Sequence, residues 1–179
     1  EISAYTFQNF TLKSFFCRSV TCHGGVAIYC CNDKTEYFNS VNNVCTLSVE
    51  THCEIAAIEG PIFVMISVYR PPSGNLKTFY ETMSSCLQIL MTKNKYILIA
   101  GDFNVHFHEP DKKALEMLNF FSSYGLTATN NNNTRKNSCL DNIFTNFTIA
   151  KTKTSVIKIS FSDHDFLSFS FSIPSLPQI

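Results

Sequence analysis

The sequence predicts an α/β fold, and three stretches carry that prediction. Residues 96–104 are Tyr-Ile-Leu-Ile-Ala-Gly-Asp-Phe-Asn, an apolar run ending at a glycine, which is typical of a strand buried on both faces. Residues 62–69 form a second apolar run, and residues 78–90 between the two runs carry apolar side chains at helical spacing. A strand, a crossover helix and another strand together indicate an α/β layer.

The elements before this layer are predicted from turns and apolar runs. The first 23 residues mix aromatic and polar side chains, which indicates an irregular or short-stranded lead-in. Two glycines then open a strand at 26–30, and a polar loop follows at 39–43. Residues 45–58 alternate in part between apolar and polar side chains and become apolar at their end. After residue 69, two consecutive prolines must take the chain out of the sheet, since proline cannot continue a strand ladder.

The elements after this layer are predicted in the same way. Residues 114–124 repeat the helical spacing and end at Gly125, a usual helix stop. Apolar or alternating runs then predict three more strands, and a turn at 162–165 precedes the last of them. These strands span 138–145, 156–160 and 166–171.

Composition limits the class of protein. The chain has 179 residues, which fits a single domain over 1–179, and its 14 basic and 14 acidic residues give a formal net charge of zero. No global positive field would attract nucleic acid, so such a partner must be held by local charge or by chemistry at a site. No signal peptide opens the chain and no apolar run is long enough for a membrane span, so we predict no membrane partner.

The eight cysteines predict a reducing environment. None belongs to a C-x-x-C pair, so a thiolate zinc site is not supported, and most lie among apolar neighbours. Free, buried or half-buried thiols are expected, with a secreted disulfide framework as the alternative. We therefore predict an intracellular protein, in the nucleus or the cytoplasm.

Polar residues that are capable of chemistry lie at five predicted strand ends. Asp102 and Asn104 are two apart in an extended segment and point the same way, which suits holding a water or a phosphate beside a metal. Asp141 lies in an apolar strand and needs a partner, and His164 is the obvious one, because a carboxylate fixes the tautomer of an imidazole. Ordinary turn chemistry and a structural histidine are the alternatives. The full set is Tyr69, Asp102 with Asn104, Thr134 with Arg135, Asp141, and Asp163 with His164.

These motifs occur in the order and rough spacing of a known family. The sequence resembles the endonuclease/exonuclease/phosphatase superfamily, and most closely the apurinic-site-endonuclease-like domain of non-LTR (LINE-type) retrotransposons. The resemblance covers about residue 5 to about residue 171 and implies a four-layer α/β/β/α sandwich of two mixed sheets. The motifs are Gly24-Gly-Val-Ala-Ile-Tyr29, Tyr69-Arg-Pro-Pro, Gly101-Asp-Phe-Asn104, Thr134-Arg135, Leu140-Asp141-Asn-Ile and Ser162-Asp163-His164.

The resemblance implies a metal-dependent DNA endonuclease, a hydrolase of phosphodiester bonds. Mg²⁺ is the expected cofactor and Mn²⁺ a possible substitute, since hard divalent cations prefer carboxylate and water ligands. Asp102, Asn104 and Asp163 would hold the metal, and the first two would also position the attacking water. The implied catalytic residues are Tyr69, Asp102, Asn104, Asp141, Asp163 and His164.

The other implied roles concern the phosphate and the DNA. His164 would contact the scissile phosphate, with Asp141 orienting its ring, and Tyr69 would donate to a phosphate oxygen or the leaving group. Arg70 and Arg135 would contact the DNA. The product would be a nick with a 3′-hydroxyl that primes reverse transcription, so the implied partners are DNA and a reverse transcriptase in the same polyprotein.

One departure from the family pattern concerns the amino end. The family has an Asn at the end of its first strand and a metal-binding Glu at the end of its second, and both are expected before residue 1. Glu1 is followed by Ile-Ser-Ala, which does not fit that Glu. We therefore expect a domain truncated at the amino end, with poor Mg²⁺ binding and slow or absent DNA cleavage. The alternatives are another phosphoesterase of the superfamily and a catalytically dead retrotransposon remnant that acts as a binding module.

Overall fold

A computed structural model describes residues 6–108, 110–148 and 151–172, so Glu1 lies outside the described residues. The α-helices are α1 (Asn42–Cys45), α2 (Leu76–Met91) and α3 (Lys112–Ser123), and a short 3-10 helix spans Thr35–Tyr37. The strands are β1 (Phe10–Phe16), β2 (Val26–Cys31), β3 (Asn39–Ser40), β4 (Glu54–Glu59), β5 (Phe63–Tyr69), β6 (Tyr96–Asp102), β7 (Thr127–Ala128), β8 (Asp141–Thr145), β9 (Thr152–Ile157) and β10 (Phe166–Phe171).

Six strands form one mixed sheet in the order β3-β4-β5-β6-β8-β7. β5 and β6 are parallel and α2 connects them, whereas the other neighbouring pairs are antiparallel. The three stretches that predicted the α/β class are these two strands and this helix. The predicted α/β class with a mixed sheet is confirmed.

Helices α2 and α3 cover one face of this sheet. Side-chain oxygens cap both helices at their starts: Asn75 accepts from the Thr78 backbone N–H at 3.1 Å, and Asp111 accepts from the Ala114 backbone N–H at 2.9 Å. Gly125, with a φ of 71°, follows the end of α3 as predicted. The largest hydrophobic cluster lies between helices and sheet, where each fully buried large side chain contributes roughly 1.5–3 kcal/mol. Its most deeply buried members include Phe79, Met83, Leu87, Met117, Phe121, Val64, Ile66 and Ile99.

Two antiparallel ribbons, β1–β2 and β9–β10, pack against the opposite face of the sheet. The first ribbon lies over β4 and β5, where Ile28 and Cys30 contact Ala56 and Ile58. The second lies over β8, and its inward side chains belong to a third cluster. That cluster comprises Leu98, Ile143, Phe147, Phe63, Met65, Ala100, Leu167, Phe169 and Phe171. Within the described residues, the layer facing the mixed sheet therefore consists of two separate ribbons.

Several boundaries differ from the prediction because strand pairing, rather than local composition, decides them. The polar stretch 39–43 contains β3, which pairs with β4, and the start of α1. The strand predicted from residue 138 begins only at Asp141, where pairing with β6 starts. The strand predicted at 156–160 is Thr152–Ile157, since these residues pair with β10.

All eight cysteines are free thiols, as the composition predicts. Five are buried or half-buried, but Cys17, Cys22 and Cys31 are exposed, so the expectation of burial is wrong for these three. Cys17 and Cys22 flank a surface loop, and Cys31 ends β2 with its side chain outward. No helix in the described ranges is long and apolar enough to cross a membrane.

Candidate active site

Four polar side chains lie in one row across the mixed sheet. The strand register pairs Glu54 with Tyr69, Tyr69 with Asp102, and Asp102 with Asp141. The side chains two positions away on β4, β6 and β8, namely Ala56, Ala100 and Ile143, pack against the ribbons, so the row points to the ribbon side of the sheet. It lies at the carboxyl ends of parallel β5 and β6, the usual place for a ligand site in an α/β sheet.

The turn after β6 is fixed on both sides. Gly101 lies so close to β5 that a Cβ atom there would overlap the carbonyl oxygen of Val68. The ring of Phe103 is completely buried and anchors the turn in an aromatic cluster. The surrounding rings, with centroids 5.2–6.3 Å away, are Phe79, Phe107, Phe121 and Phe144.

Asp102 and Asn104, the residues on either side of Phe103, bind each other. The Asn104 backbone N–H donates to Asp102 Oδ1 at 2.9 Å, and Asn104 Nδ2 donates to Asp102 Oδ2 at 3.0 Å. Asn104 has a φ of 49°, a left-handed conformation that asparagine tolerates better than most residues. Burial raises the pKa of Asp102 to about 6, with Asp141 adding to the rise and the Asn104 N–H opposing it.

His164 lies between two carboxylates, as the prediction of an Asp–His contact requires. Its Nδ1 is 2.8 Å from Asp141 Oδ2, and its Nε2 is 3.9 Å from Asp102 Oδ2. The hydrogen bond to Asp141 places the proton on Nδ1 and directs Nε2 toward Asp102. The ligand atoms of Asp102, Asp141 and His164 all lie within 4.8 Å of one another, which is close enough to surround one cation.

The completely buried Thr134 connects the elements that carry this group. Its Oγ1 accepts from the backbone N–H groups of Leu140 and Asp141, each at 3.2 Å. Its carbonyl oxygen accepts from the Asp165 N–H at 2.7 Å, directly after His164. One residue thus fixes the start of β8 and the loop before β10, which explains the Thr in the Thr134-Arg135 motif.

Asp163 and Arg135 form an exposed ion pair at 2.5 Å. The hydrogen bond from Arg135 lowers the pKa of Asp163. The predicted metal ligands were Asp102, Asn104 and Asp163, but the carboxylate that the structure groups with Asp102 is that of Asp141. Asp163 instead faces Arg135 beside the site.

The position of Arg70 contradicts the prediction that this residue contacts DNA. The residue is 4% exposed, and its guanidinium donates to the backbone carbonyls of Phe103, Gly74 and Asn104 at 2.6, 2.9 and 2.9 Å. The chain leaves the sheet at the two following prolines, and the side chain lies under the turn that carries Asn104. Arg70 therefore shapes the site from below and is not available to a DNA backbone.

Arg18 and Glu54 extend the site beyond what the sequence predicted. Glu54 is completely buried; it accepts from Arg18 Nε at 2.6 Å and from the Gly25 N–H at 2.6 Å. The Arg18 guanidinium lies 5.8 Å from the centroid of the Tyr69 ring. Burial, and then the charge of Asp102, raises the pKa of Tyr69, so its phenol remains a hydrogen-bond donor. A glutamate at the start of an apolar strand was the available signal, since a buried carboxylate needs a cation.

The sequence matches a family described as endonuclease-reverse transcriptase over residues 63–168, which is more than half of the chain. The matched segment contains all six predicted catalytic residues from Tyr69 to His164. No curated protein matches the chain.

Solved structures of low sequence identity share the fold. The endonuclease domain of TRAS1, a telomere-specific non-LTR retrotransposon, has a TM-score of 0.68 at 15% identity, covering 92% of this chain and 79% of that one. A mannosyl-6-phosphatase from Bacteroides thetaiotaomicron has a TM-score of 0.59 at 15% identity, covering 93% and 78%. The 3′ phosphatase NExo from Neisseria, bound to a product DNA hairpin, has a TM-score of 0.55 at 16% identity, covering 66% and 65%.

Proposed function

Because this chain belongs to the endonuclease-reverse transcriptase family of the endonuclease/exonuclease/phosphatase superfamily, we propose that it hydrolyses DNA phosphodiesters and nicks target DNA for retrotransposition. The observation that carries the proposal is the position of His164, with Nδ1 on Asp141 at 2.8 Å and Nε2 toward Asp102 at 3.9 Å. A phosphodiester that reacts at this point would meet an imidazole, a carboxylate and the Tyr69 phenol from one side of the sheet.

The donor set fits a hard divalent cation. Asp102 and Asp141 offer carboxylate oxygens, the donors that Mg²⁺ and Mn²⁺ prefer, and Asn104 holds the Asp102 carboxylate through a hydrogen bond from its Nδ2. When bound, such an ion neutralises charge on the phosphate and lowers the pKa of a bound water. Mg²⁺ commonly binds proteins through one or two carboxylates together with substrate phosphates. We therefore expect this ion to bind weakly in the absence of DNA.

The side chains divide the chemistry between attack and charge stabilisation. Above pH about 6, Asp102 is ionised and can accept the proton of the attacking water, with Asn104 holding the carboxylate in place. His164 would donate from Nε2 to a phosphate oxygen in its charged form, with Asp141 compensating the imidazolium. Tyr69, kept protonated by burial, would donate to a second oxygen or to the leaving group.

A small-phosphate esterase is the second candidate function, and the surface charges favour it. Arg70 is buried and Arg135 is paired with Asp163, so neither of the two predicted DNA-binding arginines presents a free guanidinium. The net charge of zero adds no long-range attraction for DNA. The same group of Asp102, Asp141 and His164 would serve a sugar phosphate equally well.

Plasmid nicking separates these functions. The chain is incubated with supercoiled plasmid and either Mg²⁺ or Mn²⁺, and His164→Ala is compared with His108→Ala, which removes an exposed imidazole outside the site. We expect conversion to the open circle by the unchanged chain and by His108→Ala, with a loss of about 10²–10³-fold in His164→Ala. A polymerase should extend the nick if it ends in a 3′-hydroxyl. No nicking, combined with phosphate release from sugar phosphates, would refute the DNA assignment.

The family also suggests the partners of this activity. A match to an endonuclease-reverse transcriptase family supports a polyprotein in which a reverse transcriptase extends the nicked end. An intracellular site of action, in the nucleus or the cytoplasm, is consistent with eight free thiols. Fractionation of cells that express the tagged gene product, together with an assay for reverse transcription from the nick, tests both proposals.

A further inference from the structure

The ribbon β9–β10 has an outer face that is polar except at the end beside the active site. Side chains alternate along both strands, so every second residue of each strand points away from the mixed sheet. At the site end the outward pair is apolar: Ile157 and Phe166 are 50% and 54% exposed. The other outward pairs along the ribbon are Ser155 with Ser168 and Lys153 with Ser170.

A third apolar side chain, Phe161, extends this end into the loop 158–165 that connects the two strands. Phe161 is 79% exposed, and its ring packs edge-on against Phe166, with centroids 5.9 Å apart and planes at 70°. Neither ring belongs to any of the three hydrophobic clusters of the described residues. We call Ile157, Phe161 and Phe166 the aromatic tip. A contiguous exposed apolar surface beside polar residues commonly marks a contact site.

The loop that carries Phe161 is fixed at both ends and holds a catalytic residue. Asp165 accepts from Lys158 Nζ at 2.6 Å and from the Ile159 N–H at 3.2 Å, which closes the base of the loop. Asp165 also donates its N–H to the Thr134 carbonyl at 2.7 Å, and His164 contacts Asp141. Phe161 is three residues from His164, and three residues span at most about 10 Å. A strand whose phosphate lies at His164 would therefore place a neighbouring nucleotide within reach of the ring.

We propose that Phe161, supported by Phe166, stacks on a nucleobase of the DNA strand next to the cleaved phosphodiester. This inference rests on the proposed function and names the feature of the substrate that the site prefers: a base step that is unpaired or easily unstacked. Every nucleobase offers a π-face, so this contact selects for open or deformable DNA rather than for one sequence.

The absence of tryptophan from the sequence allows a direct test. Phe161→Trp carries the only indole in the protein, and its fluorescence is titrated with a duplex that contains an unpaired base, in EDTA so that no cleavage occurs. The matched control is Phe10→Trp, because Phe10 is an aromatic residue that is 45% exposed at the first position of β1, in the other ribbon. Anisotropy of a dye-labelled copy of the same DNA measures binding independently. We expect saturable quenching in Phe161→Trp at the concentration that gives half-maximal anisotropy, and no quenching in Phe10→Trp.

A second pair of variants measures what the ring contributes. Phe161→Ala should weaken binding to the duplex with an unpaired base about 10-fold, and Phe161→Tyr should bind like the unchanged chain, because base stacking on an aromatic ring has about this effect. If the DNA binds by anisotropy but does not quench Phe161→Trp, and Phe161→Ala binds with unchanged affinity, the stacking proposal alone is overturned. The aromatic tip would then be a contact site for a protein. No anisotropy change with any DNA would overturn both this proposal and the DNA endonuclease assignment.

Discussion

Replacement of Arg70 by methionine tests whether this residue shapes the site or contacts DNA. Methionine keeps a long, unbranched side chain but removes the donors to the carbonyls of Phe103, Gly74 and Asn104. Two of these hydrogen bonds are buried and the third is partly buried. Each carbonyl that loses a buried partner costs about 1–3 kcal/mol. Removing the buried charge relieves part of that cost, so we expect a net loss of about 3 kcal/mol in the free energy of unfolding.

Urea unfolding followed by far-UV circular dichroism measures this loss. A change of about 3 kcal/mol in a domain of this size also lowers the melting temperature by roughly 10 °C. Arg135→Met is the matched control, since it removes a guanidinium from an exposed ion pair and should leave the unfolding midpoint nearly unchanged. If Arg70→Met unfolds at the same midpoint as the unchanged chain but binds DNA more weakly, the structural role is refuted and the predicted DNA contact of Arg70 is supported.

Three further predictions concern the same region. Because burial raises the pKa of Asp102 to about 6 from the ordinary value of 3.8, the metal-free folded state should gain stability from this group as pH falls through that interval. Melting curves of the unchanged chain and Asp102→Asn should therefore converge or cross between pH 7 and pH 4, whereas a constant difference would contradict the raised pKa. Thr134→Val should lose about 1–3 kcal/mol in the free energy of unfolding, because the Leu140 and Asp141 N–H groups lose their acceptor. Thr134→Ser keeps the hydroxyl and should retain most of this stability. Equal losses in the two variants would contradict the hydrogen-bond account. Gly101→Ala should lower the free energy of unfolding by about 3 kcal/mol or more, because its Cβ would overlap a strand carbonyl. Gly125→Ala, at a positive-φ position, should lower it by about 1 kcal/mol. The reverse order in urea unfolding would contradict the close approach of β5 and β6.

The sequence predicted the parts of this protein that depend on local pattern. Apolar runs identified β5 and β6, and helical spacing identified α2 and α3. The contact between Asp141 and His164 was also predicted, because a carboxylate in an apolar strand needs a partner, and the family resemblance implied that Asp102 lies beside them.

The remaining features depend on long-range register and side-chain direction, which a single sequence does not contain. Arg70 follows a strand end and precedes two prolines, a pattern that is equally compatible with an outward and a buried guanidinium. Glu54 becomes part of the site only because β4 pairs with β5 so that Glu54 lies beside Tyr69. The family resemblance implied Asp163 as a metal ligand, but neighbours in a tight loop point in different directions, and its carboxylate faces Arg135.

The site spans two structural layers, and this division determines how it is lost. Asp102 and Asp141 are carried by the mixed sheet, whereas His164 lies in the loop of a two-stranded ribbon that contacts the sheet through one small cluster. Local opening of that ribbon would withdraw the imidazole while the helices and the sheet remained folded. Hydrogen exchange at the β9 and β10 amides would then report the fraction of molecules in which His164 contacts Asp141, and denaturant should abolish the proposed hydrolysis well before it melts the central strands.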